Sequence, residues 1–256
     1  MIGSPGQGKD DRGLRPFRTD ARLIVSYPKS GRTWLRFALI GAGVDATFTH
    51  AGAGTNRREI GYPFRGIPIA LQNLPLVFLH RDPIDTAVSM YYQITRKDLR
   101  RWSGRWFRML LPLALRNALP PKSIDAFVLD PVYGIEKICA YNKAWLDHLE
   151  GRGDCLVLTY EAMRQNPARG FQRMLDFWSE TASSGEALAD ASSFDKMKFA
   201  EAAGTGPSQL RIAVSGDTGS AKVRKGKVHG YLDELRSDTI LRGKEIAASY
   251  NFDTEL

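Results

Sequence analysis

A chain of 256 residues, 43% hydrophobic and 25% charged, has the length and composition of one α/β domain, and this excludes a disordered or fibrous protein. No stretch supplies the roughly 18 uninterrupted apolar residues of a membrane span. The net charge of +8 points to an anionic partner, which a multiply phosphorylated nucleotide, RNA or an anionic membrane would each satisfy.

Residues 1–20 are rich in Gly, Pro and charge and are expected to be a loose tail, leaving 21–256 as the folded domain. They carry no apolar core of a signal peptide, which implies a cytoplasmic protein. Gly3-Ser-Pro-Gly-Gln-Gly-Lys9 matches the core of an ATP-binding P-loop. Its context fails: no strand precedes it, no apolar helix follows, and Asp10 stands where Ser or Thr would bind magnesium.

Arg22 to Tyr27 reads as a short buried strand ending in a Pro-Lys-Ser-Gly turn, and Thr33 to Ile40 as a helix stopped by Gly41 and Gly43. Leu76 to His80 is a second buried strand, followed by a helix capped by Asp82, opened by Pro83 and running to about Ile94. A helix from about Tyr133 to Leu149 leads into a third strand, Cys155 to Thr159. Further helices are expected from Pro167 towards Trp178 and from Leu232 to Tyr250, with a mobile loop between Gly204 and Ala221. Strands alternating with helices predict an α/β fold: a single domain, P-loop-like, with a central parallel sheet flanked by helices. Cys139 and Cys155, both in apolar surroundings, are expected to be buried free thiols.

Tyr27-Pro-Lys-Ser-Gly-Arg-Thr-Trp34 joins a strand through a tight turn to a helix. That geometry aims the N–H groups of Ser30 to Thr33 at one point, where the helix dipole favours an anion. Lys29 adds a positive charge, and Ser30 and Thr33 add hydroxyls. A bare surface turn would show the same residues. The octapeptide resembles the 5′-phosphosulfate loop of the cytosolic-type sulfotransferases, Tyr-Pro-Lys-Ser-Gly-Thr-Thr-Trp, with Arg32 in place of the first Thr. Four further segments follow in that family's order.

Arg81-Asp-Pro-Ile-Asp85 with Ser89 is similar to the family's 3′-phosphate element. Arg81, at a strand end, can grip a phosphate with two parallel bonds, or it can pair with Asp82 or Asp85. Tyr160, in Leu156-Val-Leu-Thr-Tyr-Glu-Ala-Met163, resembles the family's nucleotide-contacting tyrosine, or packs beneath a helix. Ser192-Ser-Phe-Asp-Lys-Met197 resembles the segment in which Phe194 and Trp34 would sandwich an adenine ring; an amphipathic helix would also bury Phe194 and Met197. Arg224, Lys225 and Gly226, in Val223-Arg-Lys-Gly-Lys-Val-His-Gly-Tyr231, resemble the loop that covers the 3′-phosphate, with His229 replacing a Gly and Tyr231 a Trp.

The resemblance implies a PAPS-dependent sulfotransferase, with 3′-phosphoadenosine 5′-phosphosulfate as co-substrate and no metal. Its nucleotide contacts would be Lys29, Ser30, Gly31, Arg32, Thr33, Trp34, Arg81, Ser89, Tyr160, Phe194, Arg224, Lys225 and Gly226. The family's base belongs to a Thr-His pair, which places it at His50, with Lys29 stabilising the leaving phosphate. Phe48 stands where the family often has a Lys. Among the other histidines, His80 is expected buried, His148 exposed on its helix, and His229 in the closing loop.

Residues 97–118 mix basic groups with Trp102, Trp106 and Phe107. They could border a glycan, lipid or small-molecule acceptor, rest peripherally on a membrane, or form a lid. RNA-recognition motifs are absent, so no nucleic-acid partner is expected. The alternatives are a nucleotide kinase, which needs a true P-loop and an acidic magnesium ligand, and a non-catalytic nucleotide-binding module.

Overall fold

The structure is a computed structural model that describes residues 22–54, 62–98, 120–205 and 227–252. Among these residues four strands form one all-parallel sheet: β1 (Leu23–Ser26), β2 (Thr47–Thr49), β3 (Leu76–His80) and β4 (Cys155–Thr159), in the order β2-β1-β3-β4. Ile24 pairs with Phe48 on one side of β1 and with Val77 on the other, and His80 pairs with Thr159. From β1 the chain moves outward first to β2 and then, on the other side, to β3 and β4. The switch point therefore lies at the carboxyl ends of β1 and β3, where open α/β sheets bind ligands.

The helices are α1 (Arg32–Gly41), α2 (Ile69–Gln72), α3 (Pro83–Tyr92), α4 (Ile124–Val128), α5 (Ile135–Leu149), α6 (Tyr160–Gln165), α7 (Pro167–Phe177), α8 (Gly185–Ala191), α9 (Phe194–Ala203) and α10 (Ser237–Ser249). Strand side chains alternate between faces. Leu23, Val25, Leu76 and Phe78 pack with α3, α5 and α10 through Ile84, Ile138, Trp145 and Ala247. Ile24, Val77, Leu79 and Leu158 pack on the opposite face with α1 and α7 through Leu35, Leu39, Phe171 and Leu175. Each such side chain contributes about 1.5 to 3 kcal/mol by leaving water.

The predicted strands and parallel sheet are present, but several boundaries differ. α3 ends at Tyr92 and continues as a π-helical turn over Gln93–Asp98. The final helix begins at Ser237, not Leu232, because Gly230–Asp233 forms a 3-10 turn whose Tyr231 N–H donates to Asp85 instead of continuing a helix. Cys139 is buried as expected, whereas Cys155 is half-buried beside Asp154, because it opens its strand at the sheet's end; both are free thiols. His148 is half-buried, not exposed: its Nε2 bonds the Gln72 carbonyl at 2.7 Å. His80 is largely buried over Phe78, and burial lowers its pKa to about 4. The segments 3–9 and 224–226, the loop beyond Thr205 and nearly all of 97–118 lie outside the described residues.

Candidate active site

β1 delivers Tyr27, which is buried, into a turn that reverses within four residues. Two of these have left-handed backbones, Lys29 at φ 72° and Gly31 at φ 100°. Gly31 then caps α1, accepting the N–H of Trp34 at 2.9 Å. Only glycine suits position 31, since a Cβ there would lie 2.6 Å from Cδ2 of Tyr160. Tyr160, the first residue of α6 after β4, thus lies directly on the turn. Ser30 is fully buried, and its hydroxyl has no hydrogen-bond partner among the described residues.

Arg81 leaves β3 at the switch point. Its Nη1 donates to the Lys29 carbonyl at 3.4 Å, and its guanidinium lies 4.5 Å from the Tyr160 ring centre. It also makes the Asp85 ion pair that the sequence left open, at 3.1 Å, while its Nε is buried without a partner among the described residues. Asp85 is 3% exposed and does more than neutralise Arg81: it accepts the N–H groups of His229 and Tyr231, fastening the 227–233 segment beside the turn. Asp82 caps α3 by accepting the Asp85 N–H at 2.7 Å, and its own N–H donates to Glu161. Burial, with Asp85 and Glu161 nearby, raises the Asp82 pKa to about 7. Ser89 is half-buried two turns along α3.

Trp34 is held edge-on by Phe171 and Tyr160, and its indole N–H donates to Ser192 Oγ and O at 3.0 and 3.1 Å. Ser192 directly precedes the Ser193 cap of α9, so that bond places Trp34 near the start of the helix whose first residue is the half-buried Phe194. Phe194 stays out of the apolar clusters, whereas Met197 joins the one containing Trp34. Arg164 lies 5.6 Å over the Trp34 ring and also lines a cavity of about 530 Å³ with Glu161 and Lys227.

On the β2 side, His50 Nδ1 lies 2.7 Å from the Ser26 carbonyl. A carbonyl can only accept, so Nδ1 carries the proton and the lone pair of the neutral ring belongs to Nε2. The turn after His50 is pinned by the Ala53 N–H to the His50 carbonyl and by the buried Lys137 of α5, which donates to the Gly54 carbonyl at 2.8 Å. Phe48 carries the guanidinium of Arg36 4.5 Å above its ring, which brings a cation beside the position where the family pattern has Lys. Arg32 is half-buried on the same helix, and its pKa falls to about 10 through burial and the proximity of Arg36.

The structure therefore gathers Lys29 to Trp34, Arg81 and Tyr160 at one end of the sheet, with Ser89 and Phe194 on adjoining helices and His50 across β1. Glu161, Arg164 and Arg36 were missed from sequence, whereas Asp85 was named there as one of two possible partners of Arg81.

Comparison with known proteins agrees with this architecture. The mouse sulfotransferase SULT7A1, solved in complex with PAP, superposes with a TM-score of 0.61 at 19% identity, over 94% of this chain and 87% of that one. Retinol dehydratase with androsterone and the inactive cofactor PAP gives 0.61 at 15% identity, over 94% and 83%; its complex with retinol and PAP gives 0.60 at 17%, over 94% and 84%. No curated protein sequence matches the chain. The family model described as "Sulfotransferase domain" matches residues 61–249, most of the chain, and with the sheet and its crevice this makes the protein a member of the sulfotransferase family.

Proposed function

We propose that this sulfotransferase takes the sulfonyl group of PAPS and transfers it to a hydroxyl of a small-molecule, glycan or lipid acceptor. The observation that carries the reading is the meeting of Arg81 with the Lys29 carbonyl across the switch point, beside two buried polar atoms without partners among the described residues, Ser30 Oγ and Arg81 Nε. Buried polar atoms of this kind are costly unless water or a ligand completes them. A nucleotide with phosphates at both ends suits them. The turn and Lys29 would hold the 5′ end, Arg81 and Ser89 the 3′-phosphate, and Trp34, Phe194 and Tyr160 the base, as they do by resemblance to the family. PAP in the three similar structures supports the same choice.

In the reaction, His50 accepts the acceptor's proton at Nε2 while the acceptor oxygen bonds to sulfur. The bond between sulfur and the phosphate oxygen breaks in line, and Lys29 with the amino end of α1 compensates the charge left on that oxygen. The Ser26 carbonyl keeps His50 in the tautomer this requires.

Calorimetric titration with PAP, 5′-AMP and magnesium ATP tests the nucleotide. PAP is expected to bind at least about tenfold tighter than 5′-AMP, from its charge-assisted bonds to Arg81. His50→Gln is expected to keep PAP affinity and to lower PAP release, over a panel of hydroxylated acceptors, by about 10² to 10⁴. Preference for magnesium ATP, or full turnover by His50→Gln, would overturn the reading.

A further inference from the structure

α1 divides the site by its two sides. Trp34 faces Tyr160 and Phe171, towards the β4 flank where Arg81 and Tyr160 lie. Arg36 faces the other way, over Phe48 of β2, and Arg32 one turn earlier shares that side. Phe48 stands two residues before His50, and β2 pairs with β1 on the edge away from Arg81. Arg36 therefore borders the His50 flank, and Arg32, which also lies near Tyr141 beside Tyr27, sits between that flank and the carboxyl end of β1.

Neither guanidinium forms an ion pair with a carboxylate among the described residues, in contrast to Arg81 and Arg22, which pair with Asp85 and Glu180. The charge that most perturbs Arg32 is Arg36 itself, a like charge, and both guanidinium groups are lowered in pKa by burial. Two partly buried cations side by side repel, and that arrangement is relieved when an anion sits between them. Arginine's planar fork suits an oxyanion, and the Phe48 ring fixes the orientation of one of the two.

We propose that Arg32 and Arg36, on the β2-facing side of α1, recognise an oxyanion carried by the acceptor, a carboxylate, sulfate or phosphate held apart from the hydroxyl that reacts. The assignment rests on the transferase reading and adds the substrate class to it: acceptors that already bear a negative charge. Their guanidinium groups would fix the anionic end while His50 meets the hydroxyl.

The test uses the full chain, with and without saturating PAP, and pairs of hydroxylated probes that differ in one anionic group: glucuronate against glucose, and 4-hydroxyphenylacetate against 4-hydroxyphenylethanol. Affinities are read by ligand-observed NMR titration. The anionic member of each pair is expected to bind about tenfold tighter or more, as charge-assisted bonds to a fork allow. Arg36→Gln should reduce that preference to about twofold and leave PAP affinity unchanged; Arg36→Lys, which keeps the charge and loses the fork, should fall between them. Equal binding of both members, or a preference that survives Arg36→Gln, overturns the proposal. Loss of PAP affinity in a folded Arg36→Gln would assign the arginine to the nucleotide and overturn it as well. Failure of the wild-type chain to bind PAP, with the anion preference intact, would instead sink the transferase reading, and the acceptor role with it, while leaving the arginines an anion site.

Discussion

The contact between Gly31 and Tyr160 gives the sharpest perturbation. In Gly31→Ala the new methyl group meets two penalties: a left-handed backbone at φ 100° and a ring carbon 2.6 Å away. The backbone term is about 1 to 2 kcal/mol, and forcing a side chain into a packed position adds about 1 to 3 kcal/mol. Gly43→Ala isolates the first term, since Gly43 also has a positive φ, 70°, but nothing lies within 4 Å of its Cβ position. At about 2 to 4 °C per kcal/mol for a domain near this size, Gly43→Ala should lower Tm by about 2 to 8 °C and Gly31→Ala by about 4 to 20 °C. Ordinary contact begins at 3.4 Å, so the Tyr160 ring must retreat by roughly 0.8 Å, carrying with it the face on which Arg81 lies. PAP affinity should fall about 10- to 100-fold in Gly31→Ala and not at all in Gly43→Ala, a loss equivalent to about 1.4 to 2.8 kcal/mol. Paired melting curves and calorimetry read both effects. Equal losses of stability in the two variants, or unchanged PAP affinity in Gly31→Ala, would refute the claim that Tyr160 shapes this turn.

Asp85→Ala strips the partner from Arg81 and from two backbone N–H groups at once, and should cost about 3 to 5 kcal/mol in denaturant unfolding; Asp85→Asn, which keeps an acceptor, should lose less. Asp82 titrates near 7 when folded, above its usual 3.8, so its contribution to stability is present below about pH 4 and lost as pH rises through 7. Asp82→Asn, still a good helix cap, should match the wild type near pH 4 and melt higher at pH 8; parallel Tm–pH curves would contradict the assignment. Trp34→Phe leaves the buried Ser192 carbonyl without the indole N–H, and should cost about 1 to 3 kcal/mol in the same unfolding assay.

Much of the framework was legible because it rests on short-range signals. β1, β3 and β4 are apolar runs, and α3 and α7 announce themselves by an Asx cap followed by proline. β2 was not legible: Thr-Phe-Thr has three residues, none buried, and exists as a strand only because β1 offers it an edge. α8 and α9 rise from an Ala- and Ser-rich stretch where periodicity is weak; α8 starts where the Ser184 side chain accepts the Ala187 N–H, and α9 is anchored through Met197. In the site, the turn and Arg81 could be named from sequence because they sit in compact motifs. The Arg36–Phe48 stack could not, since its partners are 12 positions apart and meet only through the β1–β2 crossover. Arg164 over Trp34 has the same character, with β2 to β4 and α2 to α5 lying between the two in the chain.

The strand order has a consequence for how such a chain can diverge. Because it runs outward from β1 in both directions, the strands of the β2 flank and of the β3–β4 flank are joined within the described sheet through β1. The first flank is encoded almost wholly before Gly54, and the second begins at Leu76. Outside the sheet the two meet where Lys137 of α5 reaches the Gly54 carbonyl, so the layout behaves as a socket with a collar fastened at two points. A grafted segment spanning Val44 to Gly54 would replace one flank and leave intact the turn, the Arg81 strand end and the platform formed by Trp34 and Tyr160.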